Sequence, residues 1–217
     1  MSYFVSWSGG KDSCLALCHA YKKFGKPEYL VCMLNESGQY SRSHGLSRDN
    51  LNKQAEKLNV PILFYSTSWN NYEHTFLEAL SFLKTKNVKT GVFGDLKIAD
   101  KPDWTGHIEW TEKICSSQNM KAFEPLWDYQ PKNLMDIYYN SKIKAKIVSI
   151  NNKYLGSEYL GKILTRELSE HFKTIGVDPF GEKGEFHTYV LNCPYFKSEI
   201  KTKETLRDKT CLKLFIT

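Results

Sequence analysis

The 217 residues are enough for one generous core, or one core with a small appendage, and 41% hydrophobic with 25% charged content excludes a disordered or fibrous chain. The net charge is +6, but the lysines are spread along the sequence, which fits a solvated basic surface better than a nucleic-acid stripe. No apolar run reaches membrane length and the chain enters a core strand at once, so a reducing, cytoplasmic compartment is expected.

Tyr3 to Trp7 is a short run of aromatic and β-branched residues, read as a buried strand. It stops at Ser8-Gly9-Gly10-Lys11-Asp12-Ser13, after which Cys14, Leu15, Leu17, Cys18 and Tyr21 recur at helical spacing up to Gly25. Tyr29 to Leu34 is a second buried strand, followed by a polar stretch over Asn35 to Ser43. Leu46, Leu51, Ala55 and Leu58 then mark a helix closed by Asn59 and Pro61. Ile62 to Tyr65 is strand three, Tyr72 to Lys84 an amphipathic helix, and Gly91 to Gly94 strand four. Strands alternating with helices predict a parallel sheet covered on both faces, with ligands beyond the carboxyl ends of its strands. The loops after strands one, two and four (Ser8–Ser13, Asn35–His44, Asp95–His107) should converge there.

The second half is less regular. The spacing predicts helices over Trp104–Ser117, Leu134–Asn140 and Glu158–Lys173, and strands over Ala145–Ile150, Tyr189–Leu191 and Cys211–Ile216. A boundary falls near residue 130. Among the cysteines (14, 18, 32, 115, 193, 211) there is no Cys-x-x-Cys pair, so zinc-ribbon and thioredoxin-type readings are weak. Cys14 and Cys18 lie one helical turn apart and read as small buried hydrophobes, and Cys193 as a buried residue before Pro194.

Two stretches carry chemistry. In the first, adjacent glycines let the backbone approach a ligand, and the helix start behind them offers N–H groups to an anion. Ser8, Ser13 and Lys11 add hydroxyls and a cation. Asp12 fits if Mg²⁺ sits between it and the anion, or if it caps the helix. No Gly-x-x-x-x-Gly-Lys-Ser/Thr is present, which excludes the Walker pattern. In the second stretch, Gly181 to Thr188, Glu182 and Glu185 stand three residues apart, followed by His187. Such carboxylates suit a metal, an ammonium or proton transfer, and the histidine could accept a proton from an amine. A turn with solvated glutamates and a packed histidine has the same pattern.

SGGKDS after an N-terminal strand resembles the PP-loop of the N-type ATP pyrophosphatases. Combined with GEKGEFHT and Asn192-Cys193-Pro194-Tyr195-Phe196, it resembles the diphthine–ammonia ligase family. His44-Gly45-Leu46, Gln54-Ala55, Gly94-Asp95, Trp110-x-Glu112, Pro125-Leu126-Trp127, Leu160-Gly161-Lys162 and Val177-Asp178-Pro179 extend the likeness over essentially the whole chain.

The resemblance implies an α/β fold of the adenine nucleotide alpha-hydrolase-like (PP-loop, HUP) type. Its five-stranded parallel sheet would form an ATP-binding domain over 1–130, with a smaller α+β substrate part over 131–217. It implies a cytoplasmic ligase that uses ATP and Mg²⁺ to adenylate a carboxylate, releases pyrophosphate, and lets ammonia displace AMP. Ser8, Gly9, Gly10, Lys11, Asp12 and Ser13 would hold the pyrophosphate, with Asp12 on the metal. Met33 and Leu34 would offer backbone groups to adenine, His44 and Asp95 would line the crevice, and Lys11, Glu182, Glu185 and His187 would act in catalysis.

The family's acceptor is diphthine on elongation factor 2, a protein side chain. The His187 ending resembles the prokaryotic branch, since eukaryotic members tend to have Glu there. Phe180 stands where members often have Cys, and Ile108 where Arg often follows the histidine. These departures lie toward the acceptor side, and a bacterial source would imply a different acid. Two alternatives stay open, a nucleotide sensor without turnover and a PP-loop tRNA-modifying enzyme. The sequence also leaves a homo-oligomer open.

Overall fold

The computed structural model describes residues 1–97, 105–129, 131–202, 204–207 and 213–216. In chain order, β1 (Tyr3–Ser6), α1 (Lys11–Phe24), β2 (Tyr29–Leu34), α2 (Arg48–Leu58), β3 (Ile62–Ser66), α3 (Tyr72–Thr85), β4 (Thr90–Val92), α4 (Thr105–Ser117) and β5 (Lys121–Phe123) alternate. Their strands pair in parallel in the order β3-β2-β1-β4-β5, the five-stranded α/β sheet that the family resemblance implies, although β5 is not among the four strands that the residue pattern marks. The chain winds outward from β1 to β3, then returns to place β4 on the other side of β1. The order therefore reverses between β1 and β4, opening a crevice beyond their carboxyl ends.

Side chains of β1 alternate between two apolar layers, as a strand buried on both faces requires. Tyr3, Val5 and Trp7 join the core under α1 and α2, while Phe4 packs with Phe76, Leu80 and Leu83 of α3 and Ile114 of α4. Helix α1 stops where expected: Gly25 takes φ 83° and donates its N–H to the Tyr21 carbonyl at 2.9 Å.

Beyond residue 130 the chain forms α5 (Pro131–Asn140), β6 (Lys144–Ile150), α6 (Arg166–Thr174), β7 (Phe186–Asn192), β8 (Glu204–Arg207) and β9 (Lys213–Ile216). The strands make a second, antiparallel sheet in the order β7-β6-β9-β8. One continuous core joins the two parts: Ala145, Ile147, Phe172, Tyr189 and Val190 share it with Leu15, Leu17, Leu51 and Leu58.

The predicted helix over Glu158–Lys173 is not formed as such. A single 3-10 turn covers Ser157–Tyr159, Gly161 turns the chain at φ 79°, and Ile163 bridges to Lys146 of β6. Only then does Thr165 cap α6, its side chain accepting the Leu168 N–H. Strand β7 begins three residues earlier than expected, at Phe186, and so contains His187 and Thr188. Trp104, most of the Asp95–His107 loop, Cys211 and the first part of the predicted terminal strand lie outside the described residues. No helix among the described residues is long and apolar enough to cross a membrane.

Candidate active site

The turn between β1 and α1 is shaped by what packs against it. Gly9 has φ 83°, and a Cβ there would meet Leu46 Cδ1 at 2.6 Å and Leu51 Cδ2 at 2.9 Å. A Cβ on Gly10 would lie 2.4 Å from His44 Nε2. Both glycines are thus demanded by the segment leading into α2 and by α2 itself, not only by an approaching ligand. Asp12 sits in the first turn of α1 and is not its cap. Gly10 is, and it has no side chain to cap this end. The Lys11 N–H is taken by Thr188, so the N–H groups of Asp12 and Ser13, both on the cavity wall, and the helix dipole are what this end offers an anion.

Other elements lock this turn. Gln54 of α2, fully buried, donates from Nε2 to the carbonyls of Gly9 and Val190, each at 2.9 Å, and accepts the Trp7 indole N–H at 2.9 Å. The Val190 N–H donates to the Gly9 carbonyl at 3.0 Å, and the Lys11 N–H donates to Thr188 Oγ1 at 3.0 Å. Gly10 N–H donates to Ser8 Oγ at 3.3 Å, and the Ser8 and Ser13 hydroxyls lie 3.1 Å apart. Gly94 lets the end of β4 rest on α1, since a Cβ there would meet the Ser13 amide nitrogen at 2.7 Å.

These contacts border a cavity of about 710 Å³, within the usual range for a small-molecule site. Ser8, Lys11, Asp12 and Ser13 line it together with His44, Asp95, Glu182, His187 and Thr188. Trp69, Tyr72, Phe76, Phe93 and Trp110 add an aromatic wall. Phe76 stacks on Tyr72 (6.1 Å between centroids) and meets Trp110 edge-on (5.5 Å), while the Arg42 guanidinium lies 5.0 Å over the Trp69 ring.

Lys11 is buried, with Nζ 2.8 Å from Asp12 Oδ2, 3.1 Å from Glu182 Oε1 and 5.1 Å above the Phe180 ring. Burial alone would lower its pKa, but the two carboxylates more than offset it and hold the ammonium charged. Burial raises Glu182 to about 7, against the pull of Lys11 and with the charge of Asp12 adding to the rise. Asp95 is raised too, by burial first and by Asp12 in addition, while His107, its Nδ1 3.5 Å away, works the other way. His44 is held well below the ordinary histidine range by burial, then by the neighbouring His187 and Lys11. Their rings are 4.6 Å apart, and the Ser43 hydroxyl lies 3.0 Å from His44 Nδ1.

Not every expected residue reaches the cavity. Glu185 is buried in its own loop, its carboxylate accepting the N–H of Asp178 at 3.2 Å and of Lys183 at 2.9 Å. Met33 and Leu34 are also buried, and their carbonyls already accept from the amides of Arg42 and Thr67. The aromatic wall, Thr188 and the bridging role of Gln54 are what the sequence reading missed. A glutamine among Leu51, Ala55 and Leu58 on the apolar side of α2 was the available signal for Gln54. The wall is spread over the segment before α3, α3 itself, the end of β4 and α4, so no local pattern announces it.

Residues 1–122 match the family model described as the diphthamide synthase N-terminal domain, and residues 130–213 the diphthamide synthase C-terminal domain. Relatives named diphthine–ammonia ligase include the human protein, 33% identical over 93 residues (41% of this chain and 35% of that protein). The mouse protein is 34% identical over 127 residues (57% and 46%), and that of Schizosaccharomyces pombe 26% over 217 residues (89% and 34%). These matches span between about a third and a half of the relatives' length.

Proposed function

The chain belongs to the diphthamide synthase family, and from that premise we propose that it is an AMP-forming amide ligase. ATP adenylates a carboxylate with release of pyrophosphate, and ammonia then attacks the acyl carbon, gives up a proton and expels AMP. In this reading residues 1–130 bind the nucleotide and 131–217 contribute the acceptor side. The observation that carries it is the start of α1 meeting, beside the buried Lys11, a cavity of about 710 Å³ lined by Ser8, Lys11, Asp12 and Ser13.

The N–H groups of Asp12 and Ser13, with the Ser8 and Ser13 hydroxyls and the Lys11 ammonium, hold the β- and γ-phosphates and stabilise the charge that develops on leaving. The aromatic wall of Tyr72, Phe76 and Phe93 takes the adenine in place of the Met33 and Leu34 backbone. Asp12 and Asp95 are hard oxygen donors on the same cavity, and Asp12 adds to the rise in the Asp95 pKa, as expected where a cation would relieve two crowded carboxylates. These two would hold Mg²⁺, which when bound neutralises phosphate charge.

Glu182, with its pKa near neutrality, accepts the proton released as nitrogen attacks, and Lys11 keeps the carboxylate in place. His44, held neutral with the Ser43 hydroxyl at Nδ1, presents Nε2 toward Gly10 and can donate to a phosphate oxygen without adding charge. Glu185 shapes the loop instead of touching substrate.

The test is to incubate the purified chain with ATP, Mg²⁺, ammonium and elongation factor 2 bearing diphthine. AMP and pyrophosphate should appear in step with the amide. ADP as the nucleotide product, or nucleotide that stays bound with no turnover, would overturn the reading.

A further inference from the structure

Away from the cavity, three thiols meet in the core. Cys14 and Cys18 lie one turn apart on α1, and Cys193 directly follows β7. Their sulfurs are all within 4.8 Å of one another, and the residues are 0%, 3% and 3% exposed. No other triplet of His, Cys, Asp or Glu ligand atoms among the described residues is as close. Each residue read alone is a small hydrophobe, and only the docking of β7 against α1 makes them a cluster.

We propose that Cys14, Cys18 and Cys193 form a buried binding site for a soft monovalent cation, Cu(I), held by three sulfurs. Thiolates select Cu(I), zinc or iron–sulfur clusters over hard cations. Structural zinc takes four ligands, and this triplet has no fourth His, Cys or carboxylate within the same reach among the described residues. A metal–thiolate bond of roughly 2.3 Å puts three sulfurs in a plane roughly 4 Å apart, inside the 4.8 Å within which these sulfurs all lie.

Each sulfur that ligates as a thiolate releases its proton to solvent as the ion enters, and no electron is transferred. The bound ion would tie α1, one residue past Ser13, to the end of the strand whose Thr188 and Val190 hold the glycine turn.

The full chain, reduced and kept anaerobic, is titrated with Cu(I) against a competing Cu(I) chelator. One equivalent should bind, X-ray absorption should show a shell of three sulfurs, and the melting temperature should rise. Cys18→Ala and Cys193→Ala should each weaken uptake at least tenfold, while Cys115→Ala, a buried lone thiol, leaves it unchanged. If Cys193→Ala fails to fold, Cys18→Ala decides the matter, because alanine is the best helix former. The site is refuted by less than one equivalent bound, by unchanged uptake in Cys18→Ala, or by equally tight zinc in a four-ligand shell. A two-dalton mass loss in air from protein that takes up no copper when reduced would refute it in favour of a disulfide.

Discussion

The backbone amide of Lys11 donates to the hydroxyl of Thr188 at 3.0 Å, joining two residues 177 positions apart. A helix N-terminus aimed at an anion is useful only if its first residue stays put, and here a strand of the second sheet fixes it. Thr188→Val removes the acceptor while keeping the shape, and a buried N–H without a partner costs about 1–3 kcal/mol. We expect that loss in urea unfolding together with a raised KM for ATP, and Thr188→Ser should restore both. A Thr188→Val protein with unaltered stability and KM would show that the contact does not matter.

Gln54 is the second fastener. Gln54→Leu leaves the Trp7 indole N–H and the Val190 carbonyl without their partner, and weakens the hold on Gly9. The expected destabilisation is about 3 kcal/mol, with nucleotide affinity falling too. Chemical denaturation with an unchanged midpoint would contradict it.

Gly10 lies at φ −90°, which any residue can adopt, so the obstacle to a side chain there is His44 Nε2 at 2.4 Å. Gly10→Ala should lose both stability and nucleotide binding. In a double-mutant cycle His44→Ala should recover most of the stability but not the binding, because the imidazole donor is then gone. Strictly additive stability effects would mean that the clash is relieved elsewhere.

Glu182 gives a pH signature. Its carboxyl titrates near 7 in the folded chain and about 4.5 unfolded, so the native state holds the proton longer. Stability should therefore fall as pH rises between those two values and level off above 7. Glu182→Gln should flatten that slope and remove the limb near 7 from kcat/KM, whatever it does to the overall level. Melting curves across pH 5–8 check the first expectation, and initial rates the second. An identical slope in the variant would place the titration elsewhere.

Glu185 should behave differently from its neighbour. Glu185→Gln retains only one acceptor oxygen for the amides of Asp178 and Lys183, which predicts a loss of about 1–2 kcal/mol in stability. Its pH–rate profile should keep the wild-type shape. A vanished limb would assign it a role in proton transfer after all.

Most of the first half of the fold was legible because β1, β2 and β3 are short apolar runs and its helices end at residues that end helices, Gly25 and Asn59 among them, whereas β5, three residues with an exposed lysine, was not read. The sequence reading also brought Ser8, Lys11, Asp12, Ser13, His44, Asp95, Glu182 and His187 to one place, and the cavity has all of them on its walls. It failed where spacing and tertiary contacts disagree. Leu160 and Leu164 are spaced like a helix face, yet Gly161 at φ 79° and the bridge from Ile163 to Lys146 pull that stretch straight. Glu185 and Glu182 look equivalent three residues apart, and only the turn around Gly184 at φ 85° sends one inward to the loop amides and the other to Lys11. Side-chain direction in a glycine loop has no periodicity to read.

Val190 and Thr188, far along the sequence, grip a turn that is made long before them. A chain cut near residue 130 would keep the five parallel strands and lose both of these grips on the glycine turn.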